Sequence, residues 1–291
     1  MGEILTRVTE QQFAQFFDPY LSQAAHGYVS RIPRYKLFNY ILYWLHTGCQ
    51  WDEIPIEQQV GSENKEIGYN AIYAQFSKWS HDGSLKRLWF QSILTIRGDL
   101  DLSVLDMDGT QSLAKKGGEK VAYQGRKKGK TSNILPITDC NGYVIACTGI
   151  LGGNHNDSYE LKSHLRTAFR DMKDLGLSIQ GAYFNADSSF DTKECRKTCF
   201  NHGMIPNIPE NRRNRKRAKL GRKPLFNKEV YHQRFTEERT FAWVDKFKRL
   251  LIRFEKDEDL FFGAHCIAFT MINLRDLLTN EEENVKELEG Q

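Results

Sequence analysis

The chain has 291 residues, 40% of them hydrophobic, which allows one large domain or two modest ones with a real core. Its 41 basic and 37 acidic residues leave a net charge of only +4, a figure that hides strong local asymmetry. No apolar run reaches the roughly 20 residues that span a bilayer, the opening MGEILTRVTEQQ has no signal-peptide core, and six scattered cysteines fit reduced thiols, so a soluble cytoplasmic protein is expected.

Residues 10 to 97 read as helices. Leu37, Tyr40, Ile41, Trp44 and Leu45 form a core-facing stripe after Pro33, and Gly48 is a plausible stop. A second helix, about 66 to 80, carries Tyr69, Ile72, Tyr73 and Phe76 inward and leaves Ala71, Gln75 and Lys78 outward. Asp82-Gly83 ends it, and a third presents Leu85, Leu88, Trp89, Ile93 and Ile96. A compact helical unit of this kind is compatible with helix-turn-helix DNA binding, with Gln75 and Lys78 on the outward face.

From Leu102 the pattern turns β-like. LSVLDMD, TSNILPITD and YVIACTGILGG read as strands, with Asn141-Gly142 in the turn between the last two. A helix from Asp157, its expected N-cap, to about Met172 follows. Then come a strand (178–186), a helix (191–201) and a short strand in MIPNIP. The segment 207–230 is a basic loop or insertion. A long helix is expected from Tyr231 to about Glu255, and a last helix over 260–278 should cover the sheet. The order β-β-β-α-β-α-β defines a mixed α/β sheet with flanking helices, that of the ribonuclease-H-like fold. The division is a helical DNA-binding domain (1–98), a catalytic domain (99–278) and an acidic tail (279–291).

Two basic clusters stand out: residues 212–223 hold eight Lys or Arg in twelve, and residues 115–130 hold seven. Arg212, Arg213, Arg215, Lys216, Arg217, Lys127 and Lys128 belong to them. Such density attracts phosphate backbones, although any single cluster is equally at home as a solvated loop. Cys195-x3-Cys199-x2-His202 lacks a zinc-knuckle spacing and a second ligand pair, and reads as helix content. His155-x-Asp157 is too short a signal for a phosphatase metal pair.

Three acids carry the chemical argument. Asp108 and Asp187 each end an apolar run, and Glu238 lies in a helical segment. Either aspartate alone fits a turn or a cap, and on a helical wheel of about 100° per residue Glu238 falls on a polar face with Tyr231, Arg234, Ala242, Asp245 and Arg249. Trp243, Val244, Phe247, Leu251 and Phe254 form the opposite, buried stripe. In combination, two strand-end aspartates and a helical glutamate suit a pair of divalent metals working on a phosphodiester. Hard oxygen donors suit Mg²⁺ or Mn²⁺, and Arg234 suits a bidentate phosphate clamp. Asp106, on the same strand face as Asp108, is the fallback first acid.

These segments resemble the DDE transposases of bacterial insertion sequences, in the branch marked by Tyr-x2-Arg-x3-Glu-x6-Lys. Tyr231, Arg234 and Glu238 match in type and spacing; the lysine position holds Asp245, with Lys246 one residue on. VLDMDGTQ resembles the family's first-aspartate strand and NADSSFD its second, where Ser188-Ser189 stand in place of the frequent Lys-Gly. GCQWDEIP and FSKWSHDG resemble its N-terminal helical domain. The resemblance implies two Mg²⁺ or Mn²⁺ ions held by Asp108, Asp187 and Glu238, contact of Tyr231 and Arg234 with DNA near the cut, and cleavage and transfer of element ends into double-stranded target DNA. It also implies a homodimer on paired ends. A non-catalytic DNA-binding relative and a nuclease without strand transfer are the alternatives.

Overall fold

A computed structural model describes residues 3–23, 30–155, 159–211 and 224–289; the side chains of 235–237 and 281–289 are outside the description. In chain order the elements begin with α1 (Glu10–Phe16), α2 (Arg34–Thr47), α3 (Tyr69–His81) and α4 (Ser84–Thr95). Seven strands follow: β1 (Val104–Met107), β2 (Thr110–Ala114), β3 (Ala122–Gln124), β4 (Gly129–Ile134), β5 (Pro136–Thr138), β6 (Val144–Cys147) and β7 (Leu151–Gly152). Next come α5 (Leu161–Asp174), β8 (Tyr183–Ala186), α6 (Lys193–Asn201) and β9 (Ile205–Asn207). The last are α7 (Lys228–His232), α8 (Phe235–Val244), α9 (Lys248–Leu251), β10 (Ile252–Arg253) and α10 (Glu258–Glu289). Among the described residues no helix is long and apolar enough to cross a membrane.

The chain divides into two compact units. One, the helical unit, comprises residues 1–96, 112–119 and 243–291. Its core is aromatic: Phe17, Phe38, Trp44, Phe76, Trp79, Trp89 and Phe261 are all buried. Helix α2 stops at Gly48, whose φ of 71° is the left-handed conformation glycine adopts at a helix end. Helix α10 packs on α4 and α3, with the Phe269 and Trp89 rings 5.3 Å apart and Asn273 Nδ2 donating to Ser92 Oγ at 3.1 Å. The closing helix, expected as a sheet cover over 260–278, is therefore a partner of the N-terminal helices, and it runs on to Glu289. In α3 only Ile72, Phe76 and Trp79 are buried. Tyr69 and Tyr73 are each 40% exposed, so the inward stripe read from the sequence is narrower than expected.

The other, the sheet unit, comprises residues 97–111 and 120–242. Its five-stranded sheet has the order β6-β5-β1-β8-β9. The pairs β1–β5 and β5–β6 are antiparallel, and β1–β8 and β8–β9 are parallel. This is the mixed sheet expected of the ribonuclease-H-like class. The β5–β6 hairpin turns at Gly142, φ 82°, as the Asn-Gly pair foretells. Asp139 fastens that turn by accepting from the backbone N–H groups of Asn141 and Tyr143. Helix α5 packs on the sheet, with Phe169 edge-on to Phe184 at 5.6 Å. Strand β4 pairs with β3 and β7. The short strands β2 and β3 were not anticipated, because TQSLA and AYQ are too polar and too short to show a two-residue period. TSNILPITD divides at Leu135 into β4 and β5.

The expected long helix from Tyr231 to Glu255 is not one helix. It is α7, a turn, α8, a turn at Asp245–Phe247, α9 and the two-residue strand β10. In the helical unit β10 runs parallel to β2, pairing Arg253 with Ala114. Of its expected buried stripe, Trp243, Val244 and Phe247 are buried, while Leu251 and Phe254 are 44% and 38% exposed. Arg249 does not share a helix face with Glu238; it sits in α9 and is buried. The expected N-cap Asp157 lies outside the described residues.

Candidate active site

Strands β1 and β8 are parallel and in register, Met107 beside Ala186. The residues that follow this last pair are Asp108 and Asp187. The register therefore delivers two carboxylates to the carboxyl ends of neighbouring parallel strands, where α/β sheets place their ligands. Asp108 Oδ1 accepts from the Gly109 N–H at 2.8 Å. Asp187 Oδ1 accepts from the Ser189 N–H at 2.6 Å, capping the short turn Ser188–Phe190.

Arg234 joins this edge. Its Nη2 lies 3.3 Å from Asp108 Oδ2, and its Nη1 donates to the Tyr231 hydroxyl at 2.8 Å. The guanidinium carbon is also 5.3 Å from the Tyr231 ring centre, and that ring meets Phe226 at 5.1 Å. The Tyr-x2-Arg spacing works here because Arg234 falls in the turn after α7, its N–H bonded to Tyr231 O. Two side chains three residues apart are then stacked, and one reaches the strand end.

Glu238 is on α8 and exposed. That helix is fastened in the sheet unit through Thr240, fully buried, whose hydroxyl donates to Gly142 O at 3.1 Å. Asp108, Asp187 and Glu238 do not form a group with all ligand atoms within 4.8 Å; among the described residues only His81, Asp257 and Asp259 do so. Those three belong to the helical unit and have another explanation. His81 Nε2 pairs with Asp257 Oδ2 at 3.0 Å, and Asp257 Oδ1 caps the start of α10.

Asp106 differs from Asp108. It is 1% exposed, and burial raises its carboxyl to about 6, opposed by the hydrogen bond from Asn185 and by the charge of Arg234. Asn185 Nδ2 donates to Asp106 Oδ1 at 2.8 Å. The fallback acid is thus tied into the sheet interior, while Asp108 stands at its edge.

The remaining candidates are dispersed. Lys127 and Lys128 are exposed in the β3–β4 turn, where Lys128 takes φ 50°. Lys78 is exposed on α3 and Gln75 is half-buried. Arg212, Arg213, Arg215, Lys216 and Arg217 lie outside the described residues. Cys195 and Cys199 are buried on α6. Sequence reading missed Asn185, whose buried amide lies beside Asp106, and Asn207, whose amide is bonded to that of Asn185; a polar residue inside a three- or four-residue strand looks like its end.

A mixed sheet with acids and an arginine at the ends of parallel strands defines a class of protein suited to phosphoryl transfer. Comparison with known proteins gives the particular family. A model described as "Transposase DDE domain" matches residues 99–274, and one described as "Putative transposase of IS4/5 family" matches residues 8–89. The chain belongs to the DDE transposases, metal-dependent enzymes that act on DNA. No curated protein matches it. Solved structures of the Mos1 transposase align weakly. The paired-end complex with left transposon end and the Mos1 mariner paired end complex with Mn are each 12% identical, with a TM-score of 0.28. Each alignment covers 92% of this chain and 85% of the other. The family assignment rests on the two family models.

Proposed function

We propose that the protein binds the ends of an insertion sequence and catalyses their cleavage and transfer into target DNA, with Asp108, Asp187 and Glu238 as its catalytic acids. The observation that supports this reading is the β1–β8 register, whose last pair, Met107 and Ala186, is followed by Asp108 on one strand and Asp187 on the other, with Arg234 held against Asp108. Carboxylates are hard, anionic oxygen donors, and these three would hold Mg²⁺ or Mn²⁺, two ions in all, once Glu238 of α8 joins the strand-end aspartates. Bound there, such ions supply charge stabilisation for an in-line displacement at phosphorus.

The protein's own groups have separate tasks. Arg234 carries a permanent planar charge, matched to two oxygens of a DNA phosphate. Tyr231 accepts from Arg234 and stacks under it, which fixes the guanidinium before DNA arrives. The half-exposed Asp108 and the buried Asp106 are distinguished by solvent access, so Asp108 faces the scissile phosphate and Asp106 holds the strand end. Lys127 and Lys128 in the sheet unit, with the basic stretch 212–217, contact DNA phosphates, and Lys78 and Gln75 contact DNA from the helical unit. Element ends brought together call for a homodimer, acting on DNA in the cytoplasm.

The test uses the purified protein and a DNA fragment that carries the gene with its genomic flanks. Mg²⁺ is compared with EDTA, and wild type with Asp187→Asn. Breaks at two flanking inverted repeats, absent in EDTA and in the variant, support the reading. Salt-sensitive binding without breaks under either ion sinks it in favour of a non-catalytic DNA-binding relative. Breaks without joined products point to a nuclease that lacks strand transfer.

A further inference from the structure

A row of buried amides crosses the parallel part of the sheet. Asp106 on β1 pairs with Asn185 on β8, and Asn185 with Asn207 on β9, so the three are in register. Their exposures are 1%, 0% and 1%. Asn185 Nδ2 donates to Asp106 Oδ1 at 2.8 Å, and Asn207 Nδ2 donates to Asn185 Oδ1 at 2.8 Å. The row then leaves the sheet. Asn207 Nδ2 also donates to Asn227 O at 3.0 Å, and Asn207 Oδ1 accepts from the Asn227 N–H at 2.8 Å. Asn185 Nδ2 reaches Val230 O at 3.2 Å. Asn227 itself caps α7, its Oδ1 accepting from the N–H groups of Glu229 and Val230.

Buried amides cost free energy unless every group is bonded, and apolar side chains would pack this sheet as well. What the amides add is a fixed position for residues 227–230. Arg234 follows Val230 by four residues and reaches Asp108; Glu238 follows by eight.

We propose that Asn185 and Asn207 are positioning residues: through residues 227–230 they set the place of Arg234 and Glu238 against the aspartates of the strand ends. This rests on the proposed carboxylate site. Neither amide touches DNA or metal. Each acts by holding the segment that does, and a displacement of about 1 Å in such a segment costs on the order of 10²-fold in rate.

The test measures single-turnover cleavage of the flanked fragment against Mg²⁺ concentration, DNA affinity in Ca²⁺, and thermal melting. Asn207→Leu removes both bonds to Asn227 and the link to Asn185. We expect DNA affinity within about twofold of wild type, a saturating rate lower by about 10²-fold, and a several-fold higher Mg²⁺ requirement. Asn185→Ala keeps the Asn207–Asn227 pairing and serves as the milder variant, with a loss of about tenfold and a smaller rise in the Mg²⁺ requirement. A rate that falls only with the folded fraction, at an unchanged Mg²⁺ requirement, means the amides are structural and overturns the proposal. Asp187→Asn is run alongside. If it is inactive while both asparagine variants cut like wild type, this proposal alone fails. If it cuts like wild type, the site assignment fails and this proposal falls with it.

Discussion

The two units bury polar groups in different ways. In the helical unit the buried groups include cations laid on aromatic rings. Arg249 lies 4.8 Å from both Trp44 and Phe254, Arg253 lies 4.7 Å from Phe261, and Arg275 lies 4.1 Å from Trp243. Such contacts need the cation over the ring face, within about 6 Å of its centre, and tolerate small lateral shifts there. In the sheet unit they include a carboxylate and two amides joined by hydrogen bonds of 2.8 Å, which fix both distance and direction. The first device holds helices together; the second holds atoms in register. Chemistry is expected where the buried row leads to the acids at the strand ends, and stability where buried groups join helix to helix.

The largest effect that can break this contrast is catalytic. Asp187→Asn removes a charge at the edge of the sheet unit while keeping a cap to Ser189. DNA cleavage should fall by ~10³-fold or more, several kcal/mol of transition-state stabilisation at about 1.4 kcal/mol per tenfold. The melting temperature should stay within about 2 °C of wild type, since surface changes are worth about 0.5 kcal/mol. A variant that loses activity only because it unfolds would show that the sheet edge is structural.

The converse holds in the helical unit. Arg249 donates to Glu255 from Nε at 2.9 Å and Nη2 at 2.6 Å, and the two side chains are 8% and 6% exposed. Glu255→Leu leaves a buried guanidinium unpaired and should cost about 3–5 kcal/mol in urea unfolding. The double variant Arg249→Met, Glu255→Leu should recover most of that loss, because a buried ion pair barely offsets its own desolvation. Equal destabilisation in the single and double variants would mean that the pair is worth more than an apolar replacement.

A smaller effect appears with pH. His265 is buried in α10 with Nδ1 bonded to Phe261 O at 2.9 Å. Burial pushes its imidazole down to about 4; the nearby charge of Arg253 adds to this, and the bond to Phe261 opposes it. The unfolded imidazole titrates near 6.5, so the unfolded state takes up a proton first as pH falls. Stability from this group is therefore full above about pH 6.5 and is lost as pH drops toward 4. From pH 7.5 to 5 the loss should be about 2 kcal/mol. Urea midpoints for wild type and His265→Met across that range measure it; parallel curves would show that His265 contributes no pH dependence.

The same contrast explains what could be read beforehand. An apolar run that stops at an aspartate is a local signal, and so Asp108 and Asp187 were placed at strand ends from the sequence. Spacing singles out Tyr231, Arg234 and Glu238, yet the same spacing predicts one helix where the structure has three. Nothing local breaks it: no Gly or Pro lies between 231 and 255. The breaks come from elsewhere, since Ile252 and Arg253 pair with β2 and Thr240 is tied to Gly142. Asn185 and Asn207 were illegible for the same reason. Their partners are 79 and 20 residues distant in the chain, and register between parallel strands is a long-range property.

The smallest effect tests whether local signals contribute energy as well as legibility. Thr9 opens α1 with a reciprocal cap: its Oγ1 accepts from the Gln12 N–H at 3.1 Å, and Gln12 Oε1 accepts from the Thr9 N–H at 2.9 Å. Gln12 Nε2 also donates to Leu278 O at 3.0 Å, so the same side chain joins α1 to α10 inside the helical unit. Thr9→Ala should cost about 1 kcal/mol, and Thr9→Ser, which keeps the oxygen, only a few tenths. Gln12→Ala should cost more than either, because it removes both the bond to the Thr9 N–H and the bond to Leu278 O from a side chain only 2% exposed. If the three variants unfold at one urea midpoint, α1 frays before the rest of the unit melts. The cap would then be a signal in the sequence that carries no weight in the fold.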